Sequence, residues 1–184
     1  GREVKREKWN RQPGVRGEGK GQGTQDGRMA KLKSKSTCWG RHEKFKTRGV
    51  TATATDWTGF QKLLTDSKAK VTTPLGLGAG DPWTLTDWFE NIYARTAGPA
   101  KYQALFTGKL KFTDASVAKA ARIMTQIINN NYVLNGVQGV LGQSFVGSVT
   151  EVFGTNSKAP LFFEGGFVGR IARLLLAALL PVLL

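Results

Sequence analysis

From Gly49 onward the apolar positions fall into helical stripes separated by short apolar runs. Behind a cap at Thr55 or Asp56, the residues Trp57, Phe60, Leu63 and Leu64 recur at helical spacing. Val71 to Leu77 then predicts a strand, and the glycine-bounded apolar run Leu75-Gly76-Leu77-Gly78-Ala79-Gly80 reads as its buried part, ending in a tight turn. Asp81 can cap the helix that follows, and Pro82 suits its first turn, where a missing N–H costs nothing. Leu85, Trp88, Phe89 and Ile92 give this helix one wide apolar face as far as about Arg95. Ala97-Gly98-Pro99 breaks it, and a third helix carries Tyr102, Leu105 and Phe106 to a stop at Gly108.

The strongest helical pattern comes next. Thr113-Asp114 caps a helix from about Ala115 to Asn129, with Val117, Ala121, Met124, Ile127 and Ile128 as its buried face. Asn129-Asn130-Asn131 ends it, because asparagine accepts left-handed backbone angles. Gln143-Ser144 opens another helix, with Phe145, Val149, Val152 and Phe153 inward and Gly154 as its stop. Ala159 to Phe163 is short, apolar and bounded by turn residues, so it predicts a strand. Helices dominate, and two or three short strands lie far apart in the sequence. The pattern is that of a helix-rich α/β lobe whose remaining strands lie elsewhere.

Charge changes the picture at one end. The chain has 184 residues and a formal net charge of +14, and residues 1–48 hold 15 Lys/Arg against 5 Asp/Glu, while the rest holds 12 against 8. These first 48 residues show no sustained periodicity, and glycines from Gly14 to Gly27 are scattered among charges. They read as a basic, disordered or loosely packed arm. Such an arm, with Trp9, Trp39 and Phe45 among its cations, makes nucleic acid the alternative partner. At the other end Leu174 to Leu184 is apolar but only 11 residues long, with Pro181 inside it. A helix needs about 20 such residues to span a bilayer, so this is expected to be a buried or sticky tail. No apolar run follows the opening charges, so no secretory signal is expected in this chain.

Candidate chemistry is sparse. The one cysteine, Cys38, and the one histidine, His42, lie in the arm with no carboxylate cluster at ligand spacing, so no metal, cofactor or Cys–His catalysis is expected. Asp87 and Glu90 are three apart on one helix, whereas a glycosidase sets its carboxylates across a cleft of about 5–10 Å. A non-enzymatic role is expected.

The order of motifs from Gly49 to Gly169 resembles the extracellular solute-binding proteins of bacterial carbohydrate ABC importers. The resemblance rests on Gly49-Val50 to Trp57 and Phe60, Leu75-Gly76-Leu77-Gly78, Asp81-Pro82-Trp83 and Trp88-Phe89-Glu90-Asn91. It continues through Arg95-Thr96-Ala97-Gly98-Pro99 with Tyr102, then Phe112-Thr113-Asp114, and Lys158-Ala159 into Glu164-Gly165. It implies a type II periplasmic-binding-protein-like fold, of which residues 49–169 form mostly one lobe and the first lobe is missing. It also implies a mono- or oligosaccharide ligand, a membrane ABC permease as partner, and a site outside the cytoplasmic membrane, periplasmic or as a lipoprotein. The character of the sequence shifts abruptly at Arg48/Gly49 and at Gly169/Arg170. Residues 1–48 and 170–184 are therefore expected to be foreign to the lobe, as from a truncated coding sequence read in a shifted frame at both ends.

The resemblance also points to site residues. Gly165, Gly166 and Phe167 stand where the family has glycine, a small polar residue and a sugar-stacking aromatic; Gly166 departs from that pattern, which removes one hydroxyl contact. Glu164, directly after the strand, is the candidate for hydroxyl recognition, or a carboxylate favouring a helix N-terminus. Asp81 reads as a cap or a ligand contact. Trp83, at the turn, is the candidate stacking ring, and Trp88, one and a half turns deeper, is expected to pack against the sheet.

Overall fold

The computed structural model describes residues 37–51, 54–70 and 73–177. The arm over residues 1–36, the first two residues of the strand expected from Val71, and the tail beyond Ala177 lie outside the described residues. Ten elements follow one another among the described residues. They are β1 (Thr37–Gly40), α1 (His42–Lys46), α2 (Trp57–Lys70), β2 (Leu75–Gly76), α3 (Trp83–Phe106), α4 (Ala115–Ile127), α5 (Gly136–Gly142), α6 (Phe145–Phe153), β3 (Leu161–Glu164) and α7 (Val168–Ala177).

The sheet has the order β1-β3-β2, with β2 parallel and β1 antiparallel to β3. Beyond β2, Leu75 forms a parallel bridge with Val133. Its N–H donates to the Tyr132 carbonyl at 2.9 Å, and its carbonyl accepts from Leu134 N at 2.8 Å. Side chains of β3 alternate between two cores. Leu161 and Phe163 join the larger one, with Phe45, Leu63, Leu64, Trp88, Ile92, Tyr93 and Ile127. Phe162 joins the smaller one, with Phe145, Val149, Val152 and Val168.

The element starts are well explained by the sequence. Asp56 Oδ1 accepts from Gly59 N at 2.7 Å and caps α2; Asp114 accepts from Ser116 N at 2.8 Å and caps α4. Ser144 caps α6 through Gly147 N. The break expected at Ala97-Gly98-Pro99 is a kink within α3: Gly98 stands at φ 81, ψ 166. Only glycine enters that region without strain.

Several expectations need correction. Thr37 to Lys46, assigned to a loose arm, are built into the fold. Cys38 pairs with Phe163 and Trp39 with Phe162, and Phe45 is 1% exposed in the larger core. Residues this polar on average still fold because two aromatics and a strand pairing carry the burial. Arg170 onward, set apart as a tail, continues α7, whose Ile171 and Ala172 are packed inward. On α4, Val117, Met124, Ile127 and Ile128 pack on the larger core as expected, but the buried alanine is Ala120 and Ala121 is exposed. The left-handed asparagine is Asn135, at φ 67, and not one of residues 129–131. Asn129 instead ends α4 with its side chain, donating to the carbonyls of Thr125 and Gln126. α5, unexpected from the sequence, follows Asn135; its glycine-rich Gly136–Gly142 masks the helical period.

Two glycines let α6 reach the sheet. A Cβ on Gly76 would stand 2.3 Å from Val152 Cγ2, and one on Gly78 2.3 Å from the Ser144 carbonyl oxygen. No side chain fits there. The N-terminus of α6 is thereby seated at the end of β2, beside the start of α3.

Candidate functional site

β2 and β3 are parallel, so their C-terminal ends lie at one end of the sheet, and the turns that follow them meet there. After β2 the chain turns through Gly78 to Gly80, where Ala79 N donates to the Val140 carbonyl and Gly80 N to that of Gln143, at 2.8 and 2.9 Å. This hands the chain to Asp81, Pro82 and Trp83. After β3 it passes Gly165 and Gly166 to Phe167 at the start of α7.

Trp83 and Phe167 meet at this end. Their ring centroids are 5.9 Å apart, and Phe145 lies against both, 4.9 Å from Trp83 and 5.7 Å from Phe167. Phe145 is 6% exposed and also touches Phe162, at 6.0 Å, whereas Trp83 is 40% exposed. The tilted rings form an aromatic corner with Phe145 as its floor and Trp83 as its open wall. The sequence reading placed Phe145 only on the inward face of a helix. Its position directly after a Ser144 cap, hence at a helix end, is the signal that could have marked it.

Asp81 does not cap its own helix. The cap position of α3 is Pro82, without a side-chain hydrogen bond, and Asp81 Oδ2 accepts from Phe145 N at 2.7 Å. The carboxylate thus meets the positive end of α6 across the turn. Thr84, 1% exposed, does the local work of opening α3. Its N–H donates to the Asp81 carbonyl, and its hydroxyl to the Gly78 carbonyl at 2.7 Å. The pair of bonds fixes Trp83 between them.

Glu164 is fully buried, and its Oε2 accepts from Gly165 N at 3.3 Å, while Trp39 Nε1 donates to the Glu164 carbonyl. Gly165 is buried and Gly166 exposed. Trp88 lies apart from this corner, on the other face of β3. Its ring is 4.2 Å from Phe163 and it is 4% exposed. Asp81, Trp83 and the Glu164–Phe167 turn are therefore brought to one end of the sheet, and Trp88 is not. Asp87 and Glu90 form no cross-cleft pair, and Glu90 accepts from the Tyr102 hydroxyl at 2.8 Å. Among the described residues no group of three or more His, Cys, Asp or Glu could hold a metal ion, and no helix is long and apolar enough to cross a membrane.

No protein-family profile matches the chain. Individual proteins do. The osmoprotective compounds-binding protein GgtB of Synechocystis sp. is 30% identical over 151 residues, which cover 79% of this chain and 36% of GgtB. The alpha-glucosides-binding periplasmic protein AglE of Rhizobium meliloti is 27% identical over 142 residues, covering 75% of this chain and 31% of AglE. Over most of its length the chain is homologous to solute-binding proteins.

Solved solute-binding structures share its fold. A chitin oligosaccharide binding protein matches with a TM-score of 0.65 and 24% identity, over 74% of this chain and 33% of that one. The bacterial solute receptor AcbH matches with a TM-score of 0.67 and 18% identity, over 76% and 34%. The chain spans about a third of the length of the solute-binding proteins it matches. The share matched to GgtB also exceeds what lies between Gly49 and Leu184, so the similarity takes in residues before Gly49. This agrees with the place of β1 and α1 in the fold, and it moves the boundary of the lobe ahead of the expected Arg48/Gly49.

Proposed function

We propose that this chain is the carbohydrate-binding lobe of a solute-binding protein serving an ABC-type sugar importer, and that the Trp83–Phe167 corner receives a sugar ring. The observation that carries the reading is the half-exposed Trp83 set against Phe167 at the ends of two parallel strands. Sugar rings present flat C–H faces with a rim of hydroxyls, and an open tryptophan face over a fixed aromatic floor suits the first of these. Asp81 and the Gly165–Gly166 turn border the corner, and the main chain of Gly166 is open to a hydroxyl. Glu164 enters as the residue that shapes the turn leading to Phe167. Trp88 supports the helix from the opposite face of β3. The lobe performs no chemistry in this reading: it binds, closes with a second lobe over the other face of the sugar, and delivers it to a membrane permease outside the cytoplasmic membrane. A relative named for α-glucosides, and fold neighbours named for chitin oligosaccharide or solved in complex with raffinose, support the ligand class.

One lobe offers half of the stacking and hydrogen-bonding surface, so affinity should be weak, no tighter than about 1 mM. Titrating the chain with maltose, raffinose and chitotriose while following the tryptophan indole N–H resonances tests this. A saturable shift of the Trp83 resonance, absent in Trp83→Ala, is expected for at least one sugar. Calorimetry showing micromolar binding, or shifts that bypass Trp83, would overturn it.

A further inference from the structure

We propose that a second site, at the opposite end of the sheet from the aromatic corner, binds a phosphate group carrying two negative charges. A cavity of about 590 Å³ opens there, lined by the cations Lys44, Arg48 and Lys158 and the hydroxyl residues Thr47, Thr73 and Ser157. That volume falls in the range of small-molecule sites. Thr73 stands shortly ahead of β2 and Ser157 shortly ahead of β3, so this is the end from which the two parallel strands start. α1 brings Lys44 to the same end, because β1 before it runs antiparallel to β3.

The lining holds three cations and no carboxylate. Lys158 is matched from outside it by Glu151, 3.1 Å away. Lys44 and Arg48 are held by neutral groups instead. Lys44 Nζ donates to the Ser157 carbonyl, and Arg48 NH1 to the Lys70 carbonyl at 3.1 Å. Each bond uses one donor and leaves the others of that side chain for a ligand. Nor do these cations serve the end of α1, where the amides of Thr47, Arg48 and Gly49 already take the carbonyls of Glu43, Phe45 and Lys46. Burial, and then the charges of Arg41 and Arg48, push the Lys44 ammonium below its ordinary value, as like charges crowded together do. Three cations, less the one matched by Glu151, leave two positive charges to balance. A phosphate dianion balances both; a single carboxylate does not. Thr47 and Ser157 donate their hydroxyl protons to the Glu43 and Ala159 carbonyls, so their oxygens are left to accept from hydroxyls on an esterified phosphate.

The test titrates the whole chain with glycerol 3-phosphate, inorganic phosphate, glycerol and acetate, none of which has a sugar ring. Ionic strength is held constant, at about pH 8, where the phosphates carry two charges. The backbone amide resonances of Thr47, Arg48 and Ser157 should shift saturably with both phosphates and stay put with glycerol and acetate. Tighter binding of the ester assigns the site to a phosphorylated polyol, and equal binding assigns it to free phosphate. Arg48→Gln, an exposed change, should weaken binding about fivefold in calorimetry. Thr47→Glu, also exposed, sets a carboxylate in the lining and should abolish it. No shift with either phosphate at about 10 mM would overturn the site. So would an equal response to acetate, or undiminished binding by Thr47→Glu. A sugar titration that fails at Trp83 leaves this outcome untouched, because the two sites lie at opposite ends of the sheet and report through different resonances.

Discussion

Asp81 shows how one side chain can join two elements. Its carboxylate holds the first amide of α6, and its own carbonyl receives Thr84, so the two walls of the aromatic corner share one residue. Asp81→Ala should cost about 1–2 kcal/mol in urea unfolding, the range of a lost helix cap, and should loosen Trp83 relative to Phe145. Tyr102 makes a different prediction. Burial, and then its hydrogen bond to Glu90, push its hydroxyl up to about 12. The proton is held more tightly in the folded chain than in the unfolded one, where tyrosine ionises near its usual value of about 10. The resulting stabilisation is complete below the unfolded value and is lost as pH rises toward 12. An ultraviolet absorbance titration should show a late tyrosine ionisation that Tyr102→Phe removes.

At the scale of elements, capping and breaking signals were the most legible part of the sequence. Asp56, Asp114 and Ser144 cap where expected, and Gly98 interrupts α3 where expected. These are local effects, decided by a few neighbouring residues. Gly98→Ala forces a Cβ into a backbone region reserved for glycine, and about 1–3 kcal/mol of destabilisation is expected in chemical unfolding. What the sequence hid depended on distant partners. β1 is a strand only because β3 offers an edge, and α5 has too many glycines to show a period. The helix-end position of Phe145 marks it as a candidate, but its place under Trp83 depends on the close approach of α6 permitted by Gly76 and Gly78. Trp83 and Phe167 were legible as candidates from the family resemblance, but their meeting depends on the parallel pairing of β2 with β3. Asp81 was legible as a cap; which helix it caps was not.

For the molecule as a whole, the decisive revision concerns residues 37–48. Composition sets them with the basic arm, yet Phe45 is among the largest fully buried side chains, and Lys44 and Arg41 donate to carbonyls of the loop before β3. Phe45→Ala should therefore cost about 3–5 kcal/mol in thermal or urea unfolding, as for any deep aromatic. An unchanged midpoint would return the segment to the arm. A trimmed version beginning at Gly49, cut to shed the cationic head, would strip the cover from one flank of β3. Its bare amides and carbonyls would recruit strands from neighbouring copies. Precipitation, not a tidier soluble lobe, is the expected yield of that cut.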